Sequence, residues 1–136
     1  MFIVNNDGSI HVTRGDIGTF EVGIKEESET EEGIESTDYV FKSGDVVRLN
    51  VHERNHPDRV VLLKDVVVES DTTSVEISLT REDTKIGGFI SKPVIYWYEV
   101  ELNPETTPQT FVGYDLNGPK TFTLYPEGAD ELCVQQ

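Results

Sequence analysis

Strict alternation of apolar and polar residues occupies positions 75–79, which read Val75-Glu76-Ile77-Ser78-Leu79. Because successive side chains of a β-strand point to opposite sides of the sheet, this pattern predicts a strand with one buried and one exposed face. The same alternation recurs upstream, with apolar positions at Phe20, Val22 and Ile24 and at Val47, Leu49 and Val51. Half-buried strands of this kind are typical of antiparallel sheets that cover one side of a hydrophobic core.

Later strands are predicted at 95–102, 110–114 and 121–125. The apolar run 60–68 predicts a central strand, because both of its faces are apolar, and Lys64-Asp65 within it predicts a bulge or a break into two strands. The segment Asp115-Leu116-Asn117-Gly118 predicts a hairpin turn between the last two strands, since Asn-Gly readily supplies positive φ.

One short helical turn is expected where Thr80 can cap the backbone N–H of Asp83 and Gly87-Gly88 can end the turn. About seven short strands, polar turns and no long helix predict that residues 1–136 form a single all-β domain. The predicted architecture is an antiparallel immunoglobulin-like β-sandwich with one short helical turn, and a small barrel is the alternative.

Two details favour the immunoglobulin-like form. The segment Tyr39-x-Phe41-x-x-Gly44-Asp45-Val46 is similar to the turn that leads into a strand in many such modules. The capped turn after Leu79 is followed by Tyr96 and Tyr98, which predicts a corner where a tyrosine hydroxyl satisfies the backbone.

Charge is distributed unevenly along the chain. It has 11 basic and 26 acidic side chains, a formal net charge of −15 and a pI near 4.4. So few Lys and Arg residues argue against a phosphate-neutralising surface, and neither nucleic acid nor a membrane is an expected partner. Many of the acids fall in 26–38, which is predicted to be a solvated, mobile acidic loop, and 127–136 are predicted to form a short C-terminal tail.

The segment His52-Glu53-Arg54-Asn55-His56 matches the H-E-x-x-H pattern of zinc peptidases. Two histidines four residues apart converge on zinc only when a helix places them on one face. Pro57 disfavours helical angles at His56, and the segment follows an alternating strand. The pattern is therefore interpreted as a strand end and a polar loop, with zinc proteolysis as an alternative and no metal ligands predicted.

Other short motifs also carry no predicted chemistry. Arg14-Gly15-Asp16 is interpreted as turn chemistry rather than as an integrin-binding tripeptide. The Ser, Cys and Lys residues have no evident base partner, and the three His residues leave little for acid–base catalysis. The chain is predicted not to be an enzyme and to need no cofactor.

The aromatic run Tyr96-Trp97-Tyr98 provides the candidate binding site. On a strand, Tyr96, Tyr98, Val100 and Leu102 share the core face. The other face carries Ile95, Trp97, Glu99 and Glu101, which are the predicted binding residues. Because Trp is over-represented at binding hot spots, Trp97 is the predicted anchor of a partner contact, and burial under a neighbouring segment is the alternative.

A family resemblance rests on four segments, which are Ile10-x-x-Thr13-Arg14-Gly15-Asp16-x-Gly18-Thr19-Phe20, Gly44-Asp45-Val46-Val47, Thr80-x-x-Asp83-Thr84 and 96–102. Across roughly 9–126, the chain resembles phage and prophage virion proteins of Firmicutes and is similar to the N-terminal immunoglobulin-like domain of the upper baseplate protein of lactococcal phages. The sequence lacks the long C-terminal extension that forms a baseplate arm in that family. The resemblance supplies no active-site residues.

The resemblance implies a structural or assembly module of a virion, such as a baseplate or tail accessory protein. Its expected partners are other virion proteins, with self-association as a further possibility. The N-terminus lacks the basic and apolar segments of a secretory signal, so synthesis in the bacterial cytoplasm and incorporation into the virion are expected. The alternative function is a cell-surface adhesion or carbohydrate-binding β-sandwich module.

Overall fold

The computed structural model describes residues 1–128, and its regular elements are eleven strands and one short helix. The elements are β1 (Phe2–Val4), β2 (Ile10–Thr13), β3 (Gly18–Val22), β4 (Lys25–Thr30), β5 (Gly33–Asp38), β6 (Val46–Glu53), β7 (His56–Val67), β8 (Val75–Leu79), α1 (Arg81–Thr84), β9 (Val94–Leu102), β10 (Gln109–Val112) and β11 (Lys120–Tyr125). The predicted tail at 127–136 lies almost entirely outside the described residues. No helix within 1–128 is long and apolar enough to cross a membrane.

The main sheet has the strand order β1-β2-β11-β9-β6-β7, and β10 also pairs with β9. Its pairs are antiparallel except for β2 and β11, which run parallel with Ile10 opposite Phe122. Two further sheets are antiparallel pairs, β3 with β8 and β4 with β5. The fold is therefore all-β and mostly antiparallel, as the alternating sequence patterns predict.

One hydrophobic core joins the main sheet to the β3–β8 pair. Alternate residues of β8, beginning with Val75, are buried, and so are alternate residues of β6, beginning with Val47. These side chains belong to one cluster that includes Ile10 of β2 and Phe122 of β11. Burial of such side chains stabilises a fold by about 1.5–3 kcal/mol each. The period-two patterns thus correctly predict which residues of these strands face the core.

The run 60–68 is not a central strand, because β7 lies at the edge of the main sheet. Val60, Leu63 and Val67 are 44%, 50% and 60% exposed. The irregularities lie near the start of β7 and not at Lys64-Asp65. The register shifts between Val51–Leu62 and His52–Val60, and again between His52–Val60 and Glu53–His56. Lys64 and Asp65 stay in register and form salt bridges with Asp83 and Arg48, which accommodate their charges.

The acidic segment forms a hairpin, so the prediction of an acidic loop at 26–38 is wrong. β4 and β5 pair across a two-residue turn, Glu31-Glu32, and every residue of both strands is exposed. The register explains why so much negative charge is tolerated. Each acid of one strand lies opposite a neutral residue or, for Asp38, opposite Lys25, which forms a 2.6 Å salt bridge with it. Directly opposed like charges, which would destabilise the pair, are thereby avoided.

The helical turn forms as predicted. The Thr80 hydroxyl accepts a hydrogen bond from the Asp83 N–H, and the Asp83 carboxylate accepts one from the Thr80 N–H, which completes a capping box. The buried Thr84 hydroxyl donates to the carbonyl of Asp16. Tyr98 does not serve this corner, contrary to expectation, because its hydroxyl donates to the carbonyl of Gly8 in the β1–β2 turn.

The predicted turn at 115–118 also forms, with backbone hydrogen bonds in both directions between Asp115 and Gly118. Gly118 supplies the positive φ, at 100°. The flanking strands, however, do not pair with each other. Both lie along the same edge of β9, with β10 beside 100–102 and β11 beside 94–98. The segment 113–119 is therefore an excursion between two in-line strands, and it rises next to the middle of β9.

Candidate binding surface

Strand β9 places the predicted binding residues on the side of the main sheet away from the core, here called the outer face. Tyr98, Val100 and Leu102 are buried in the core, as their alternation predicts. Trp97 and Glu99 lie on the opposite side and are half-buried. The outer face is thus partly exposed to solvent at this position.

Trp97 is half-covered by a residue that the sequence patterns did not single out. The Tyr114 ring, in the excursion 113–119, lies 5.8 Å from the Trp97 ring at an interplanar angle of 66°. This edge-to-face geometry is favourable for an aromatic pair. Tyr114 itself remains 73% exposed. The contact therefore holds Trp97 in place without shielding the pair from a partner.

A cavity of about 210 Å³ opens beside this aromatic pair. Its walls come from three segments: β9, the β6–β7 turn and the excursion 113–119. Besides Trp97 and Tyr114, its main lining residues are His52, Pro57, Glu99 and Pro119. Most of this lining is apolar, and a single carboxylate adds a specific polar group, a combination typical of binding sites.

Gly113 brings the excursion close to Glu99. A Cβ atom at position 113 would lie 3.0 Å from the Thr110 side chain and 3.3 Å from the Cβ of Glu99. A larger residue would therefore push the backbone away from the sheet. The close approach places Tyr114, the next residue, over the same part of the outer face as Glu99.

Two carboxylates of the outer face, Glu99 and Glu101, have no salt-bridge partner within residues 1–128. Burial, together with the negative charge of Glu99, raises the pKa of the Glu101 carboxyl above its ordinary value. Arg48, which lies opposite Glu101 in the sheet register, opposes this rise in pKa, but its guanidinium is already bound by Asp65 at 2.7 Å and by Glu105 at 2.8 Å.

Lys120 is the basic residue that lines the cavity, and its charge, like that of Arg48, is neutralised by a salt bridge. Its ammonium group lies 2.8 Å from the Asp115 carboxylate, and this hydrogen bond lowers the pKa of Asp115. Only 16% of the Lys120 side chain is exposed. The acid Glu99 therefore remains without a compensating charge at the cavity.

A further acceptor on the outer face has no donor. The side-chain oxygen of Asn50 is buried and accepts no hydrogen bond from the described residues. Asn50 lies opposite Glu99 of β9 and Leu63 of β7 in the sheet register. A buried acceptor without a donor costs free energy, so a donor from a ligand at this position would be favourable.

The four predicted binding residues are not all brought together. Trp97 and Glu99 line the cavity, whereas Ile95 and Glu101 do not. Ile95 is 42% exposed and lies opposite Thr123 of β11, on one side of Trp97. Glu101 lies on the other side of Glu99, opposite Arg48. Ile95 and Glu101 therefore flank the cavity along β9.

The H-E-x-x-H segment forms a β-hairpin turn and not a helix. Glu53 of β6 pairs with His56 of β7, and Asn55 in the turn has a φ of 61°. His52 is 7% exposed, and its Nδ1 forms a hydrogen bond with the carbonyl of Glu53, whereas His56 is exposed. The helical arrangement that a zinc peptidase requires is absent from this segment. Among the described residues, no cluster of three or more metal-ligating side chains is present.

The Arg14-Gly15-Asp16 tripeptide is held against the capped turn. The Arg14 guanidinium donates hydrogen bonds to the carbonyls of Ile86 and Gly87, and the Arg14 side chain is 16% exposed. Gly15 has a φ of 88° and donates its N–H to Thr84. These contacts give the tripeptide a structural role, in line with its interpretation as turn chemistry.

Comparison with protein-family models, with curated proteins and with solved structures yields no match to this chain.

Proposed function

We propose that this chain is a non-enzymatic assembly module of a phage or prophage virion, in a baseplate or tail accessory role. Its partner contact is made through the outer face around Trp97. The observation that carries the proposal is the pair of half-buried Trp97 and exposed Tyr114 beside a cavity of about 210 Å³. Aromatic residues in partly desolvated pockets are the usual anchors of protein–protein interfaces. The sequence resemblance to virion proteins supplies the biological setting.

The same proposal includes an immunoglobulin-like β-sandwich as the fold. Support comes from the order of strands β2-β11-β9-β6-β7, with β2 parallel to β11, and from the second pair β3–β8 that shares its core. The capped helical turn α1 between β8 and β9 is a further supporting feature.

The alternative, a carbohydrate-binding module, would use the same cavity. Binding of a sugar ring by stacking favours an aromatic ring that presents its flat face to the ligand. Tyr114 instead meets Trp97 at 66°, so the two rings do not form a coplanar platform. This geometry favours the protein contact.

The experiment is incorporation of variants into particles. We expect virions purified from the producing strain to contain the chain, as detected by mass spectrometry. Trp97→Ala should weaken assembly by roughly 2 kcal/mol or more, the usual threshold of a hot spot, and should deplete the chain from the particles. Phe89→Ala is the matched control, because Phe89 is 73% exposed and does not line the cavity.

Circular dichroism and urea unfolding of both variants separate a binding defect from a folding defect. Absence of the wild-type chain from the particles would overturn the proposed function. Retention of a folded Trp97→Ala chain at the wild-type level would show that the contact lies elsewhere. Should Trp97→Ala fail to fold, Tyr114→Ala tests the same contact, since the 73% exposure of Tyr114 makes it dispensable for the core.

A further inference from the structure

The cavity beside Trp97 combines aromatic faces with an uncompensated carboxylate. Trp97 and Tyr114 line it together with Glu99, and two prolines, Pro57 and Pro119, complete its apolar walls. Aromatic faces attract cations through the ring quadrupole, and Trp is the strongest of the natural aromatic partners. A carboxylate beside such faces adds a charge-assisted hydrogen bond to the same ligand. The lining therefore has the chemistry of a site for a cationic group.

The basic side chains at and near this site are already paired with other carboxylates. Lys120, the basic residue of the lining, is already bound to Asp115 at 2.8 Å. Arg48, on the adjacent strand, is bound to Asp65 and Glu105. Glu99 forms no salt bridge with any residue of 1–128, and neither does Glu101 two positions along β9.

Further features near Glu99 favour a cationic ligand. Glu99 and Glu101 lie on the same face of β9, and Glu101 has a raised pKa because of burial and then of the Glu99 charge. Asn50, opposite Glu99 on β6, adds a buried oxygen without a donor. The chain as a whole has a net charge of −15, which attracts basic partners from solution. It also opposes contact between two copies of this face.

We propose that the cavity is the binding site for an arginine side chain presented by a basic segment of the partner protein. The guanidinium stacks on one ring of the Trp97–Tyr114 pair and donates hydrogen bonds to the Glu99 carboxylate. Arginine fits better than lysine because its planar guanidinium stacks on aromatic rings and binds carboxylates with two parallel hydrogen bonds. This inference rests on the proposed function, since it specifies the chemistry of the partner in that contact.

The test uses the single tryptophan of the chain as the reporter. Trp97 lines the cavity, so its fluorescence should change saturably when the capped peptide acetyl-Gly-Arg-Gly-amide is added at low ionic strength. The matched probe is the same peptide with citrulline, which has the shape of arginine without its charge. We expect the citrulline peptide to bind roughly tenfold more weakly or not measurably.

Two variants assign the binding to the cavity. Glu99→Gln keeps the shape of the side chain and should lower the affinity for the arginine peptide by roughly tenfold. Glu76→Gln is the matched control, because it removes one negative charge from the exposed face of β8 in the other sheet. It should change the affinity by less than about twofold, as expected of a distant charge screened by solvent.

Several outcomes would overturn the inference. They are equal affinity for the two peptides, equal loss in the two variants, and saturable binding of a monosaccharide in place of the arginine peptide. This failure is separable from failure of the proposed function. If the Trp97→Ala chain is lost from particles while the Glu99→Gln chain is incorporated normally, the contact is real and the arginine is not part of it.

Discussion

Replacing Tyr98 by phenylalanine should lower stability at neutral pH and raise it at strongly alkaline pH. The Tyr98 hydroxyl, on a side chain that is 4% exposed, donates a 2.5 Å hydrogen bond to the carbonyl of Gly8. Tyr98→Phe leaves that carbonyl without its donor. The expected loss in the free energy of unfolding at pH 7 is about 1 kcal/mol, the usual net contribution of a hydrogen bond.

The alkaline reversal follows from the pKa of the same hydroxyl. Burial, and to a smaller extent the charge of Asp7, raises the pKa of Tyr98 from 10.0 to about 12. Unfolding therefore releases a proton between these two values, and the stabilising contribution of the neutral phenol, present below pH 10, is lost as the pH rises toward 12. A shift of this size corresponds to about 2–3 kcal/mol. The Phe variant has no such loss, so the two stability curves should cross near pH 11, to within about a unit.

The free energy of unfolding of the wild type and of Tyr98→Phe is measured by urea unfolding, monitored by circular dichroism. The measurements are made at pH 7 and at several pH values from 9 to 11.5. The difference between them cancels the titration of the other tyrosines and of the lysines. Tyr114→Phe serves as the control for loss of a hydroxyl, because that ring is 73% exposed and the substitution should change the free energy of unfolding at pH 7 by less than about 0.5 kcal/mol. A Tyr98→Phe difference that does not change sign or shrink between pH 9 and 11.5 would refute the reasoning.

Three further changes test other parts of the fold. Thr80→Ala removes the hydroxyl that caps α1 and should lower the free energy of unfolding in urea by about 1 kcal/mol, whereas an unchanged value would show that the cap is dispensable. Leu63→Lys places a charge at a half-exposed position of edge strand β7, so it should reduce aggregation measured by light scattering on heating while changing stability by less than about 0.5 kcal/mol. Moderate salt should raise the melting temperature by screening the charge of −15, and this rise should be smaller when Glu29, Glu31 and Glu32 are changed to Gln; a wild-type melting temperature independent of salt would contradict this.

Local patterns predict the faces of the strands but not their order in the sheet. The alternation around Val75 and Val47 correctly assigns the buried side of β8 and β6. The run 60–68 has apolar residues on both faces, a pattern that favours a central strand. It nevertheless forms an edge strand, and its outer residues, such as Leu63, remain exposed. Position within a sheet depends on pairings between distant segments, which a window of ten residues does not contain.

The acidic segment shows that composition also fails to predict which charged residues lie opposite one another. Composition alone predicts that seven acids between 26 and 38 repel each other and stay unpaired. In the hairpin, what matters is which residue faces which, and the register of β4 and β5 separates every acid from the acids across from it. A shift of one residue in either direction would place Glu35 opposite Glu27 or Glu29. The charge pattern therefore selects the observed register, and this could have been found by testing each hairpin alignment.

The candidate binding surface was predictable in part. The alternation along β9 identifies Trp97 and Glu99 as neighbours on the outer face. It gives no indication of Tyr114, which reaches Trp97 only because the chain leaves the edge of β9 at 113 and rejoins it at 120. The sequence connects His52 and Pro57 only with the H-E-x-x-H segment and gives no indication that they line the same cavity. An irregular excursion has no period, so sequence patterns could not place it.

The parallel pairing of β2 with β11 determines when the protein can reach its final form during synthesis. Ile10 is synthesised more than a hundred residues before its partner Phe122. Both side chains are fully buried. The main sheet cannot close around its core until β11 has emerged. The nascent chain must therefore carry partly uncovered apolar strands while the residues between β2 and β11 are synthesised, and slow folding with exposure to chaperones is expected of a sheet built from such distant contacts.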